Sequence, residues 1–100
     1  MESLTDKEII EKIFKEGKKI YTSSLKAVYI PSDKTKILIS APIKIFKRAV
    51  DRNRIKRLIR ESIRGKNIGN WSIAIIYNTR VIKPIVDINN DVDIILRNLK

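Results

Sequence analysis

The sequence predicts one α+β domain, with helices packed on a four-stranded sheet in the order αβββαβα. Three observations carry that prediction. Apolar residues recur at helical spacing in three separate stretches, around residues 9–14, 55–63 and 92–99. Between them lie runs rich in β-branched and aromatic residues, at 20–30, 36–40 and 71–77. Glycine, proline and small polar residues punctuate the joins, and no repeat, low-complexity segment or linker interrupts them, so residues 1–100 read as a single domain.

The first helix opens on a capping box, with Thr5 as N-cap, Glu8 at the third helical position, and Leu4 and Ile9 placed for a hydrophobic staple. Ile9, Ile10, Ile13 and Phe14 form its apolar stripe, and Gly17 ends it. Ile20 to Ile30 reads as one strand in which Tyr21, Leu25, Ala27 and Tyr29 share a face. Pro31 to Lys34 is turn chemistry, and Lys36 to Ser40 is a second strand. The unbroken Ile37-Leu38-Ile39 run gives that strand a central, doubly covered place. A short third strand is expected around Lys44 to Ala49, leading into a helix with Asp51 as N-cap and Gly65 just past its end. Trp71 to Tyr77 is the fourth strand. Val92, Ile95, Leu96 and Leu99 mark the last helix, capped by Asn89 or Asn90.

Charge is distributed unevenly over these elements. The stretch Lys44 to Lys66 holds ten Lys or Arg against two acids, so it carries +8 of the chain's +11. On a helical wheel Ile55, Leu58, Ile59, Ser62 and Ile63 fall on one side. Asn53, Lys56, Arg57, Arg60 and Arg64 occupy an arc of roughly 100° opposite them, a row about 17 Å long. Charged helix faces are commonly just solvated, but solvated faces mix signs, because like charges at i,i+4 repel. An unpartnered cationic row points instead to an anionic partner. Nucleic acid comes first, ahead of a membrane surface or an acidic protein.

Other classes are removed by what the sequence lacks. There is no cysteine and no histidine, which excludes disulfides, thiolate nucleophiles, imidazole bases and the usual zinc sites. No apolar run approaches the length of a membrane span, and the segment MESLTDKE has neither the charge nor the apolar stretch of a signal peptide. The expected location is cytoplasmic. Asp87, Asp91 and Asp93 cluster near the C-terminus, but acids at the start of a helix favour its dipole, so no metal site is assigned to them. No catalytic constellation emerges, and the polypeptide by itself is expected to be inactive.

The helix and its lead-in carry a specific pattern: Lys47-Arg48-Ala49-Val50-Asp51-Arg52-Asn53-Arg54-Ile55-Lys56-Arg57-Leu58-Ile59-Arg60-Glu61-Ser62. It closely resembles the signature of the bacterial ribonuclease P protein component, centred on Arg-Asn, then Lys-Arg three residues later, then Arg and Glu. The likeness extends to Ile13-Phe14-Lys15-Glu16-Gly17, to Leu25–Ile30 and to Trp71–Tyr77, and weakens after Tyr77. It implies a ribosomal protein S5 domain 2-like fold. It also implies a division of labour in which an RNA subunit, with magnesium held mainly by that RNA and the substrate, removes the 5′ leader of precursor tRNA endonucleolytically. The protein would bind the ribonuclease P RNA one to one, through Lys44, Lys47, Arg48, Arg52, Asn53, Lys56, Arg57, Arg60 and Arg64. It would also hold the leader between the first helix and the sheet. Phe14 carries over to that cleft, although an aromatic on an apolar stripe also reads as core. Tyr21 and Tyr29 are candidates from strand alternation.

Three departures from the family pattern stand out. Ile43 replaces a usual basic residue before Lys44, Ile10 stands where Phe is frequent, and the segment ahead of the first helix is slightly acidic where many members carry a basic arm. Two other readings compete with this one. A non-enzymatic, ribosome-associated RNA-binding module would need the basic face but no leader cleft. A membrane or acidic-protein binder would use the same helix, but that helix has no aromatic on its apolar face, and the sheet needs that face.

Overall fold

The computed structural model describes residues 2–100. Its elements are β1 (Glu2–Ser3), α1 (Lys7–Glu16), β2 (Lys18–Tyr21), β3 (Leu25–Pro31), β4 (Lys36–Ser40), α2 (Ala49–Ile63), β5 (Trp71–Tyr77) and α3 (Ile85–Arg97). The predicted α+β architecture with three helices and four principal strands is present, and the two-residue β1 adds to one rim of the sheet. Strand order is β1-β4-β5-β3-β2, with β1 and β5 parallel to β4 and the rest antiparallel.

Pleating separates two cores. Ala27, Tyr29, Ile37, Ile73, Ile75 and Tyr77 point to one face, where Ile55, Ile59 and Ile63 of α2 and Ile88, Val92 and Ile95 of α3 close over them. Val28 and Ala74 point to the other face and meet Leu4 and Ile13, with Ile9, Ile10, Ile30 and Leu38 around them. One helix therefore covers one face and two helices cover the other. Helix α1 sits over the middle strands β3 and β5, which leaves the flanks of its face open.

Several boundaries differ from the sequence reading. The expected strand at 20–30 is a hairpin, β2 and β3, because Thr22, Ser23 and Ser24 make a turn. Thr22 donates its amide and hydroxyl to the Leu25 carbonyl, and the Leu25 amide returns to Thr22 Oγ1 at 2.9 Å. The expected third strand at 44–49 is absent. The amides of Ile45 and Phe46 both turn back to the Pro42 carbonyl, and Phe46 drops into the core against Tyr77, ring centroids 5.7 Å apart. The order αβββαβα survives because one predicted strand divides and another disappears. β5 is the central strand, whereas β4 lies next to the rim with only Ile37 fully buried.

The caps lie a few residues from their expected places. Asp6, not Thr5, caps α1, its carboxylate accepting the Glu8 amide at 3.0 Å. Helix α2 starts at Ala49 with Arg48 as N-cap and no side-chain cap bond, so Asp51 sits inside the first turn, where it favours the dipole. Gly65 ends the helix as predicted, at φ 77°, with the Lys66 amide bonded to the Ile63 carbonyl. Helix α3 starts at Ile85 behind Pro84, so Asn89 and Asn90 lie within it and cap nothing. Asn89 instead accepts a hydrogen bond from Lys66.

Candidate nucleic-acid interface

Helix α2 presents the two faces its periodicity predicts. Ile55, Ile59, Ser62 and Ile63 are buried, and the Ser62 hydroxyl is satisfied by the Leu58 carbonyl at 2.9 Å. Opposite them Asn53, Arg57, Arg60 and Arg64 are exposed and Lys56 is half-buried. None of Lys56, Arg57, Arg60 or Arg64 forms an ion pair among the described residues. Lys44, Lys47 and Arg48 extend the cationic surface through the exposed lead-in turn. Arg60 also walls a groove of about 330 Å³ with Leu4 and Leu38.

Arg52 is held differently. It lies toward the edge of the buried arc, and its Nη1 donates to the carbonyls of Phe46 and Lys47, each at 2.8 Å. One arm of its guanidinium therefore fixes the lead-in turn to the helix. Periodicity alone did not show this, though the angle of Arg52 away from the cationic arc was a signal.

The three leader candidates separate. Phe14 is 43% exposed and lies outside the α1 core cluster, so it is not core. Tyr21 is 60% exposed, on the same sheet face as α1, since it pairs with Lys26 next to Val28. Tyr29 is a correction. It is 3% exposed on the opposite face, with its ring edge against Trp71 at 5.1 Å, and offers no surface for a base. Its parity with Tyr21 was read through a strand that in fact turns at residues 22–24.

Two of the three carboxylates near the C-terminus are engaged in the fold, and the exposed third, Asp87, lies in the first turn of α3. Asp91 is buried, accepting the Ser24 amide at 3.0 Å and the Ser23 hydroxyl at 3.3 Å, which ties the β2–β3 turn to α3. Asp93 pairs with Lys66 at 2.7 Å, joining the α2–β5 loop to the same helix. Tyr77 donates to the Val81 carbonyl at 2.6 Å and accepts the Lys83 amide at 2.9 Å. Burial pushes its phenol above the usual value, and Asp91 and Asp87 push the same way against the Lys83 bond. Among the described residues no group of three or more carboxylates gathers as a metal site.

A family model described as Ribonuclease P matches residues 1–92. The chain belongs to the bacterial ribonuclease P protein family. Membership places it among RNA-binding ribonucleoprotein components of tRNA processing. The fold is shared with the ribonuclease P protein from Thermotoga maritima, at 20% identity and TM-score 0.87, over 100% of this chain and 99% of that one. It is shared too with the Staphylococcus aureus ribonuclease P protein, at 22% identity and TM-score 0.84, over 97% and 94% of the two chains. No curated protein sequence matches the chain at a significant level. No helix among the described residues is long and apolar enough to cross a membrane.

Proposed function

We propose that the chain is the protein subunit of a ribonuclease P in which the RNA subunit carries catalysis, and that it acts in the cytoplasm, one copy per RNA. The observation that carries this reading is the α2 face, where aligned cations form no ion pair among the described residues and stand opposite a buried apolar face. Arg57, Arg60 and Arg64 suit bidentate contact with phosphate, and Lys56 supplies a point charge. Lys44, Lys47 and Arg48 continue the docking surface, while Arg52 shapes the turn that presents them. On the α1 face, Phe14 and Tyr21 offer rings on which leader bases stack, each worth about 1–3 kcal/mol.

Asp91 and Asp93 are already bound to protein groups. In this reading magnesium is held mainly by the RNA subunit and the substrate, and no step is assigned to a metal on the protein. The protein contributes binding and orientation.

Reconstitution tests the reading. The chain, added to a bacterial ribonuclease P RNA at low magnesium, is expected to accelerate removal of the 5′ leader from precursor tRNA. The chain stripped of RNA by nuclease and high salt is expected to cleave nothing. Recovery of ribosomal RNA alone from cells, with no effect on leader removal, would instead support the ribosome-associated alternative.

A further inference from the structure

We propose that one end of the molecule is a docking surface for an anionic lipid bilayer, built from the segments that leave β4 and β5 and from the first turn of α3. The inference goes beyond the function proposed above and does not rest on it.

Register sets Ser40 beside Ile76, so β4 and β5 finish together, and residues 41–50 and 78–87 leave from the same end of the sheet. Both segments sit on Tyr77. Its ring meets Phe46, and its hydroxyl holds the Val81 carbonyl and the Lys83 amide. Phe46 and Ile88 fill the core there, with Ile45 and Ile82 packed against it. That leaves Ile43, Val50, Val81, Ile85 and Val86 outside, five of the eight large apolar side chains exposed among the described residues. Ile43, Val50 and Val86 are each 64% exposed. Helix α3 shows why Ile85 is among them. Ile85, Ile88, Val92 and Ile95 form one apolar stripe, and its last three members are fully buried. Asp91 is tied to the Ser24 amide at this end of the sheet, and the Asn98 carbonyl accepts from the Tyr29 hydroxyl further along β3. The start of α3 therefore runs past the sheet, about 9 Å from Asp91 back to Ile85 at 1.5 Å per residue, and carries Ile85 and Val86 beyond it.

Single exposed apolar residues are ordinary on a protein surface. Five gathered at one end mark a contact surface. Residues 41–50 and 78–87 also hold five Lys or Arg, namely Lys44, Lys47, Arg48, Arg80 and Lys83, against one acid, Asp87. The next acid is Asp51, half-buried in the first turn of α2. The fitting partner is therefore anionic and apolar together. A second copy of this chain, at +11, brings like charge to like. RNA meets the charge but has no use for β-branched aliphatic chains, which offer a base neither a cation nor a π-face. A bilayer with anionic headgroups meets both needs. Its acyl boundary takes aliphatic side chains from separate segments without a matching shape, and its headgroups take the lysines and arginines around them. An acidic protein would have to match the shape of every segment at once. Lys44, Lys47 and Arg48 also belong to the proposed RNA surface, so the apolar residues are what distinguish the two uses.

The test uses the full chain and vesicles of mixed phosphatidylglycerol and phosphatidylcholine. Val81→Ser with Val86→Ser is expected to weaken vesicle binding about fivefold or more, read by co-sedimentation. Melting temperature and affinity for the ribonuclease P RNA should stay unchanged. Vesicles of phosphatidylcholine alone should bind less than the mixed ones. The chain contains no cysteine, so one introduced cysteine can carry an environment-sensitive fluorophore. At Val86→Cys its emission is expected to shift to the blue on the mixed vesicles. At Glu61→Cys, exposed near the far end of α2, it should stay unchanged. An equal or larger shift at Glu61 overturns the inference, because the α2 row would then be adsorbing by charge alone. Unchanged vesicle binding by the double serine variant overturns it too. Equal loss of RNA affinity in that variant assigns the patch to RNA and overturns it as well. No binding to the mixed vesicles also overturns it, and leaves the patch to an acidic protein.

Discussion

Asp91 and Ser24 show how differently two buried polar groups contribute. The Asp91 carboxylate satisfies the Ser24 amide and the Ser23 hydroxyl, so Asp91→Ala strands a buried amide donor. The expected cost is about 1–3 kcal/mol in denaturant-melting stability. The Ser24 hydroxyl itself is buried and finds no partner among the described residues. Ser24→Ala is therefore expected to be neutral or slightly stabilising, and a loss above about 1 kcal/mol would show that the hydroxyl has an acceptor. Tyr77 adds a pH dependence. Its phenol is raised in the folded state by burial first, so folding favours the protonated form. That contribution is complete below the unfolded value of about 10 and disappears as pH rises through the higher folded value. Tyr77→Phe should lose about 1–2 kcal/mol at neutral pH, from two hydrogen bonds, and should show a flatter decline above pH of about 10 than the parent chain. Parallel declines would show that Tyr77 does not carry the alkaline sensitivity.

Among the elements, α1 and β2 join at Gly17 with no room for a side chain. Gly17 has an ordinary extended backbone, φ −68°, so its need for glycine is one of space. A Cβ there would collide with the Ile13 carbonyl oxygen and stand 2.9 Å from Val28 Cγ1 and 3.0 Å from the Tyr29 carbonyl. Gly17→Ala should cost about 1–3 kcal/mol by overpacking, measured by thermal melting. A change within about 0.5 kcal/mol would mean that the helix end shifts freely. Legibility also differed by element. Helix α2 was readable because its apolar and cationic arcs are both long and sharply separated. Residues 20–30 misled because Tyr21, Leu25 and Tyr29 look continuous in β propensity, while the turn signal, Thr22-Ser23-Ser24, contains neither Gly nor Pro. Residues 44–49 misled because Ile45 and Phe46 are β-formers whose amides Pro42 captures in a turn.

For the whole molecule, the fold order, the family and the cationic row were all legible in the sequence. Which aromatic rings face solvent was not, because that depends on register across a hairpin, and so Tyr29 passed for a cleft residue. Sheet order then sets two surfaces apart, the α2 row toward the β4 side and the α1 face with Phe14 and Tyr21. The central claim is that the α2 row is a docking surface with a defined geometry, beyond a diffuse positive charge. Arg60 lies near the middle of the arc and Arg57 at one edge, whereas Arg54 is also exposed but lies about 60° beyond that edge. All three can be replaced at little cost to the fold, within about ±0.5 kcal/mol each. The decisive measurement is affinity for the ribonuclease P RNA over a series of salt concentrations, for Arg57→Ala, Arg60→Ala and Arg54→Ala against the parent chain. Arg57→Ala and Arg60→Ala should each lower affinity and flatten the slope of log K against log salt, by about 0.9 for each duplex phosphate left without its cation. Arg54→Ala should do much less. Equal losses from Arg54→Ala and Arg60→Ala would contradict the claim, because each deletes one positive charge and only position distinguishes them.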